Sequence, residues 1–158
     1  MMGGMKRIIP IVLVLVATAS SCGGGQDEQP RQAEGPTDRI GSATSTVSVI
    51  EDDYTLTPDQ SSVPSGTVIF EVSVVPDATR PHDLSVYRTD LPPGRLPIGT
   101  DGVHVDVTHE RLEVIGHLSS VSEQPQTLRT ELAPGNYVLV CNSENHYLKG
   151  MWAAFDVT

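Results

Sequence analysis

From about Thr44 to the C-terminus no stretch keeps its apolar residues at helical spacing. The chain runs instead in short segments where apolar and polar residues alternate. Alternation with a period of two sends successive side chains to opposite faces of a strand, so several strands must bury one face against one another. Clusters of Pro, Gly, Asp and Ser separate the segments and supply turns. The pattern predicts strands at 45–51, 54–58, 67–75, 82–88, 111–116, 126–132, 137–141 and 151–157. Regular short strands with turns between them imply an all-β Greek-key sandwich or barrel of about seven to eight strands.

The same alternation assigns faces. Val68, Phe70, Val72 and Val74 share one side of their strand, and His82 shares a side with Leu84 and Val86. Cys141 falls with Tyr137 and Leu139; Met151 falls with Ala153, Phe155 and Val157. All three strand-end residues should therefore point inward. The stretch from Asp90 to Asp101 is too rich in Pro and Gly for regular structure and reads as a long crossover. Val103, Val105 and Val107 alternate with polar neighbours, so a short edge strand is expected within 103–110. Pro134-Gly135-Asn136 makes a tight turn into Tyr137, whose hydroxyl is placed to bond back across a Greek-key corner.

The N-terminus has its own texture. Lys6 and Arg7 precede an apolar run from Ile8 to Ala17, then small residues from Thr18 to Ser21, then Cys22. Residues 1–21 read as an export signal, with an apolar run too short to span a bilayer. Ala19-Ser20-Ser21-Cys22 resembles a lipoprotein cleavage box, with Ala19 where that box prefers Leu. Cys22 is then the lipid anchor, residues 22–43 a disordered tether, and 44–158 the folded domain. That places the chain on the extracytoplasmic face of a membrane or in a periplasm. A Cys22–Cys141 disulfide is the alternative for two cysteines in an exported chain. Without Lys6 and Arg7, 8 basic residues face 20 acidic ones, hence a net charge of −12. Such a charge argues against nucleic acid as a partner.

The last eighteen residues hold Cys141, His146 and Met151 as Cys-x4-His-x4-Met, and His82 offers a second imidazole. A thiolate, two imidazoles and a thioether are the donor set of a mononuclear blue-copper electron-transfer site. His104, His109 and His117 show no pairing that would build a second metal centre, and five histidines are too few for a multicopper enzyme. No phosphate loop, nucleophile elbow or paired-carboxylate motif stands out, so catalysis is not expected. Trp152 points opposite to Met151. It either covers the exterior of the sandwich or joins Leu91, Pro92, Pro93, Leu96, Pro97 and Ile98 in a docking contact.

Asn136 to Val157, reading NYVLVCNSENHYLKGMWAAFDV, together with Pro81-His82-Asp83, resembles the copper-binding end of the cupredoxins, the type 1 blue-copper proteins. The spacing is nearest the rusticyanin and sulfocyanin pattern; plastocyanin has a shorter Cys-to-His gap and azurin a shorter His-to-Met gap. The likeness covers roughly residues 45–158. It implies that His82 is the upstream ligand, Cys141 the short thiolate bond, His146 the loop imidazole and electron port, and Met151 the long axial ligand. It also implies that the Asp83 N–H donates to the Cys141 sulfur. Relatives usually carry Asn where Asp83 stands. A carboxylate there can accept from Asn142 but cannot donate as an amide does. The loop Asn142-Ser143-Glu144-Asn145 lacks the proline that stiffens it in several relatives, and Glu144 adds negative charge near the port. The resemblance implies a monomeric, extracytoplasmic one-electron carrier with one copper ion, shuttling between redox proteins. The alternative is a module that stores copper or delivers it to a membrane oxidase. Met151 is the single methionine beyond the signal segment, which disfavours a labile Met-rich delivery site.

Overall fold

The structure, a computed structural model, describes residues 41–158. The export segment, Cys22 and most of the expected tether lie outside the described residues. Among the described residues nine strands form: β1 (Ala43–Asp52), β2 (Thr55–Pro58), β3 (Ser62–Val63), β4 (Gly66–Val74), β5 (His82–Arg88), β6 (Glu113–Val121), β7 (Gln126–Leu132), β8 (Gly135–Val140) and β9 (Trp152–Val157). Among the described residues the only helical turns are 3₁₀ turns at Pro93–Arg95 and Tyr147–Lys149.

The strands make two sheets, ordered β2-β1-β4-β7 and β3-β9-β8-β5-β6. β1 lies parallel to β4, and β3 parallel to β9; the remaining pairs are antiparallel. A parallel pair cannot be joined by a tight hairpin. Here the chain leaves β1 through β2, crosses to the second sheet as β3, and returns to lie beside β1 as β4.

The inward faces follow the alternation. Val47, Val49, Val68, Phe70, Val72, Leu84, Val86, Leu139 and Phe155 are all fully buried between the sheets. Phe70 and Phe155 meet edge to face across the layer, with ring centroids 5.5 Å apart. Each such side chain contributes about 1.5–3 kcal/mol through burial. The Tyr137 hydroxyl donates to the Ala133 carbonyl at 2.8 Å, closing the corner before β8.

Three elements differ from the expectation, each for a local reason. β3 is two residues long and carries no alternation to read. β6 begins and ends later than 111–116 and runs through Gly116. A Cβ on Gly116 would sit 3.0 Å from Thr130 and 3.4 Å from Leu128, side chains of β7 in the other sheet. The glycine allows the two sheets to close there. Residues 103–110 form turns with a single bridge, Ile98 to Val105, rather than an edge strand. The Asp101 carboxylate takes the N–H groups of Val103 and His104 at 3.0 and 3.2 Å, and Asp106 takes that of Thr108 at 3.0 Å. Side-chain acceptors of this kind replace ladder partners.

The long crossover after β5 covers the outer face of the second sheet. Leu96, Val105 and Leu112 bury Tyr87, Val138 and Val140 in a second apolar cluster. Trp152 packs partly buried against this cluster with Leu91 and Ile98, and its ring lies against Gly94. The tryptophan is thus a cover for the sheet exterior. Register brings three strand ends together: Val140 pairs with both Trp152 and Ser85. The start of β5, the end of β8 and the start of β9 therefore meet at one end of the sandwich.

Candidate metal centre

At that end His82, Cys141 and His146 converge. One donor atom from each lies within 4.8 Å of the others, and all three residues are buried. Cys141 Sγ is 3.3 Å from His146 Nδ1 and 3.8 Å from His82 Nδ1, so both rings present the same nitrogen to the sulfur. Met151 is fully buried in the same apolar cluster as Cys141. The backbone ties the segment into a loop: the Cys141 N–H donates to the Met151 carbonyl, and the Met151 N–H to the His146 carbonyl, each at 3.1 Å. All four sequence-predicted residues are brought to one end of the fold.

The donor chemistry fits a soft cation. Burial pushes the Cys141 thiol up to about 11, against the opposing pull of the Asp83 N–H, which donates to its sulfur at 3.5 Å. Burial, then the neighbouring His82, pushes His146 below the ordinary histidine value and leaves it neutral, with a lone pair to offer. A metal-binding thiol must lose its proton, and a cation between these three groups compensates the charge that burial opposes. Copper suits a set of one sulfur anion, two imidazoles and a weak thioether.

Hydrogen bonds stiffen the ligand loop where proline is missing. Asp83 accepts from the Asn142 N–H at 2.9 Å and from the Ser143 hydroxyl at 2.8 Å, joining the start of β5 to the loop after β8. The Asn142 side chain accepts from the Val105 N–H at 2.7 Å, and the Asn145 N–H donates to the Val103 carbonyl at 3.1 Å. Asn145 holds a φ of 63°, a conformation asparagine tolerates better than most residues. After His146, the Tyr147 hydroxyl donates to the Pro93 carbonyl and accepts from the Leu96 N–H, pinning the crossover against the loop.

Two residues from the opposite sheet complete the surroundings, and neither was anticipated. The β1–β2 turn, Asp53-Tyr54, reaches over the metal end. Tyr54 meets the His146 ring edge to face at 5.2 Å, beneath Lys149 Nζ at 4.1 Å from its centroid and Arg80 at 5.5 Å. His146 is consequently only 4% exposed, a more covered imidazole than the resemblance led us to expect. Asp53 Oδ1 lies 3.4 Å from His82 Nε2, and the Thr79 hydroxyl holds the carboxylate below its ordinary range. The hairpin is legible in the sequence; its contact with two imidazoles of the other sheet is not. Among the described residues no second group of three potential ligands occurs, and His104 pairs instead with Asp101 at 2.8 Å.

No family model matches the chain, and no curated protein matches its sequence. Solved structures do resemble it. Rusticyanin from Thiobacillus ferrooxidans superposes with a TM-score of 0.52 at 16% identity, over 73% of this chain and 77% of that one. Auracyanin B gives 0.51 at 17% identity, over 72% and 88%. Auracyanin A from Chloroflexus aurantiacus, described as a "blue" copper protein, gives 0.50 at 14% identity, over 73% and 100%. At these identities the likeness establishes the fold.

Proposed function

We propose that this chain, a β-sandwich of the cupredoxin fold, is a one-electron carrier holding a single type 1 copper on His82, Cys141, His146 and Met151. The observation that carries the proposal is the convergence of two Nδ1 atoms and a free, buried thiol within 4.8 Å. Copper bound there supplies a one-electron couple. The protein's part is to keep the donors still. His82 opens β5 and Cys141 directly follows its partner strand β8, Asp83 bridges the two, and backbone bonds lock His146 to Met151. Donors that do not move between oxidation states need little reorganisation, so no bond has to be made or broken for an electron to pass. The apolar cluster around Cys141 and Met151 excludes water from one side of the site.

His146 is the residue nearest solvent through Tyr54 and is the proposed exit for the electron, toward redox proteins that dock on this end. Residues 1–21 export the chain and Cys22 carries the lipid that holds it, as a monomer, at an extracytoplasmic membrane surface. To test the carrier role, the copper-loaded protein is cycled repeatedly between oxidant and reductant in the presence of a Cu(I) chelator. A carrier retains its copper and its colour through the cycles. Surrender of the ion to the chelator on first reduction contradicts the proposal and favours delivery.

A further inference from the structure

His82 faces the sulfur through Nδ1, so its remaining nitrogen, Nε2, must carry the ring proton when Nδ1 binds a metal. That Nε2 is buried and has no hydrogen-bond partner. The Asp53 carboxylate, which can accept from it, faces it with Oδ1 at 3.4 Å. The separation exceeds a usual N–H···O bond of 2.7–3.2 Å by a few tenths of an ångström, a gap a small side-chain rotation closes. The carboxylate is not free to drift. Asp53 accepts from the Thr79 hydroxyl at 2.6 Å and from the Thr79 N–H at 3.2 Å, which ties it to the segment running directly into His82. Its neighbour Tyr54 holds a φ of 68°, a left-handed conformation rarely taken by an aromatic residue. Backbone held in such a region persists where the surroundings fix it. Here the turn lays Asp53 on one imidazole and Tyr54 on the other.

The structure assigns Asp53 as the positioning residue of the metal site: its carboxylate accepts a hydrogen bond from the Nε2–H of His82, fixes that ring's tautomer and orientation, and lowers the reduction potential. The physical reason is general. A carboxylate behind a metal-bound imidazole makes the ring a stronger donor, and loss of such a partner costs 10–100-fold in metal affinity. A stronger, more negative donor favours the more highly charged ion, so Cu(II) gains more than Cu(I).

This inference rests on the copper-carrier proposal, and the test separates the two. The full chain and its Asp53→Asn variant are loaded with copper and their potentials measured, with Asp156→Asn as a control at the opposite end of β9. Asparagine keeps an oxygen for Thr79, so the turn survives while the charge is lost. Asp53→Asn is expected to weaken Cu(II) relative to Cu(I) about tenfold, which for one electron raises the potential by about 59 mV. Asp156→Asn is expected to leave it nearly unchanged. In the Cu(I) form, the His82 Nε2–H resonance should be strongly downfield and slow to exchange in the parent chain, and displaced upfield in the variant. A parent chain that binds copper in a coloured site, with equal potentials and an unmoved Nε2–H signal in Asp53→Asn, overturns the Asp53 assignment alone. A parent chain that takes up no copper overturns both.

Discussion

Glu51 carries no fractional exposure at all, yet neither of its carboxylate oxygens has a hydrogen-bond partner among the described residues. It lies in phase with Val47 and Val49 on the inward face of β1. Burial, reinforced by the nearby Asp83 charge, raises its pKa from the ordinary 4.5 to about 8. The sign of the consequence follows from proton binding. Between those two values the folded protein keeps a proton that the unfolded chain has released, so stability falls as pH rises, by about 1.36 kcal/mol per pH unit. It is fully present below pH 4.5 and lost by about pH 8, a total of about 5 kcal/mol. Set against a typical domain stability of about 5–15 kcal/mol, this is a large share. Glu51→Gln keeps the shape and removes the charge. Urea unfolding of the metal-free protein and this variant, followed by Trp152 emission from pH 5 to pH 9, gives the comparison. At pH 5 the two should agree to within about 1 kcal/mol, and at pH 9 the variant should be more stable by several kcal/mol. Parallel stability curves across the range would contradict a buried Glu51 that holds its proton in the folded state.

Removing the corner hydroxyl by Tyr137→Phe should cost about 1 kcal/mol in unfolding free energy and leave copper binding unchanged; an undiminished stability contradicts the 2.8 Å bond to Ala133. Glu144 is exposed beside His146. Its conversion by Glu144→Gln should raise the reduction potential by roughly 20 mV, the equivalent of ~0.5 kcal/mol for an exposed charge, and an unchanged or lower voltammetric potential counts against it. The chain has one tryptophan, next in sequence to Met151. Its fluorescence should drop on Cu(II) addition and recover on metal removal, whereas steady emission would place the metal elsewhere.

The four residues proposed as donors were legible in the sequence because two separate signals agree on them. Their chemical types fit one ion, and alternation turns three of them inward at strand ends; β8 and β9 are close enough in the chain for the Cys-to-Met spacing to survive folding. Asp53 and Tyr54 left no such trace. They reach the imidazoles from the other sheet, and alternation says which face a residue takes but not which side chain it meets across the layer. The positive φ of Tyr54 also breaks the pattern at that point. Glu51 is in phase with the buried valines, but a charged residue there reads as the end of a strand. β3 was invisible because two residues cannot show a period. The face of Trp152 was clear from its neighbours; what covers it depends on the path of the 90–112 crossover, which Pro and Gly leave open in the sequence.

The proposed site holds a single redox-active copper ion on one sulfur, two Nδ1 atoms and a thioether. Titrating Cu(II) into the reduced protein, with the visible spectrum recorded beside that of Cys141→Ser, is the decisive measurement. An intense charge-transfer band that saturates at one equivalent, bleaches on reduction and is missing from Cys141→Ser is the expected result. A parent protein that stays colourless, or a band that survives the loss of the Cys141 sulfur, contradicts it.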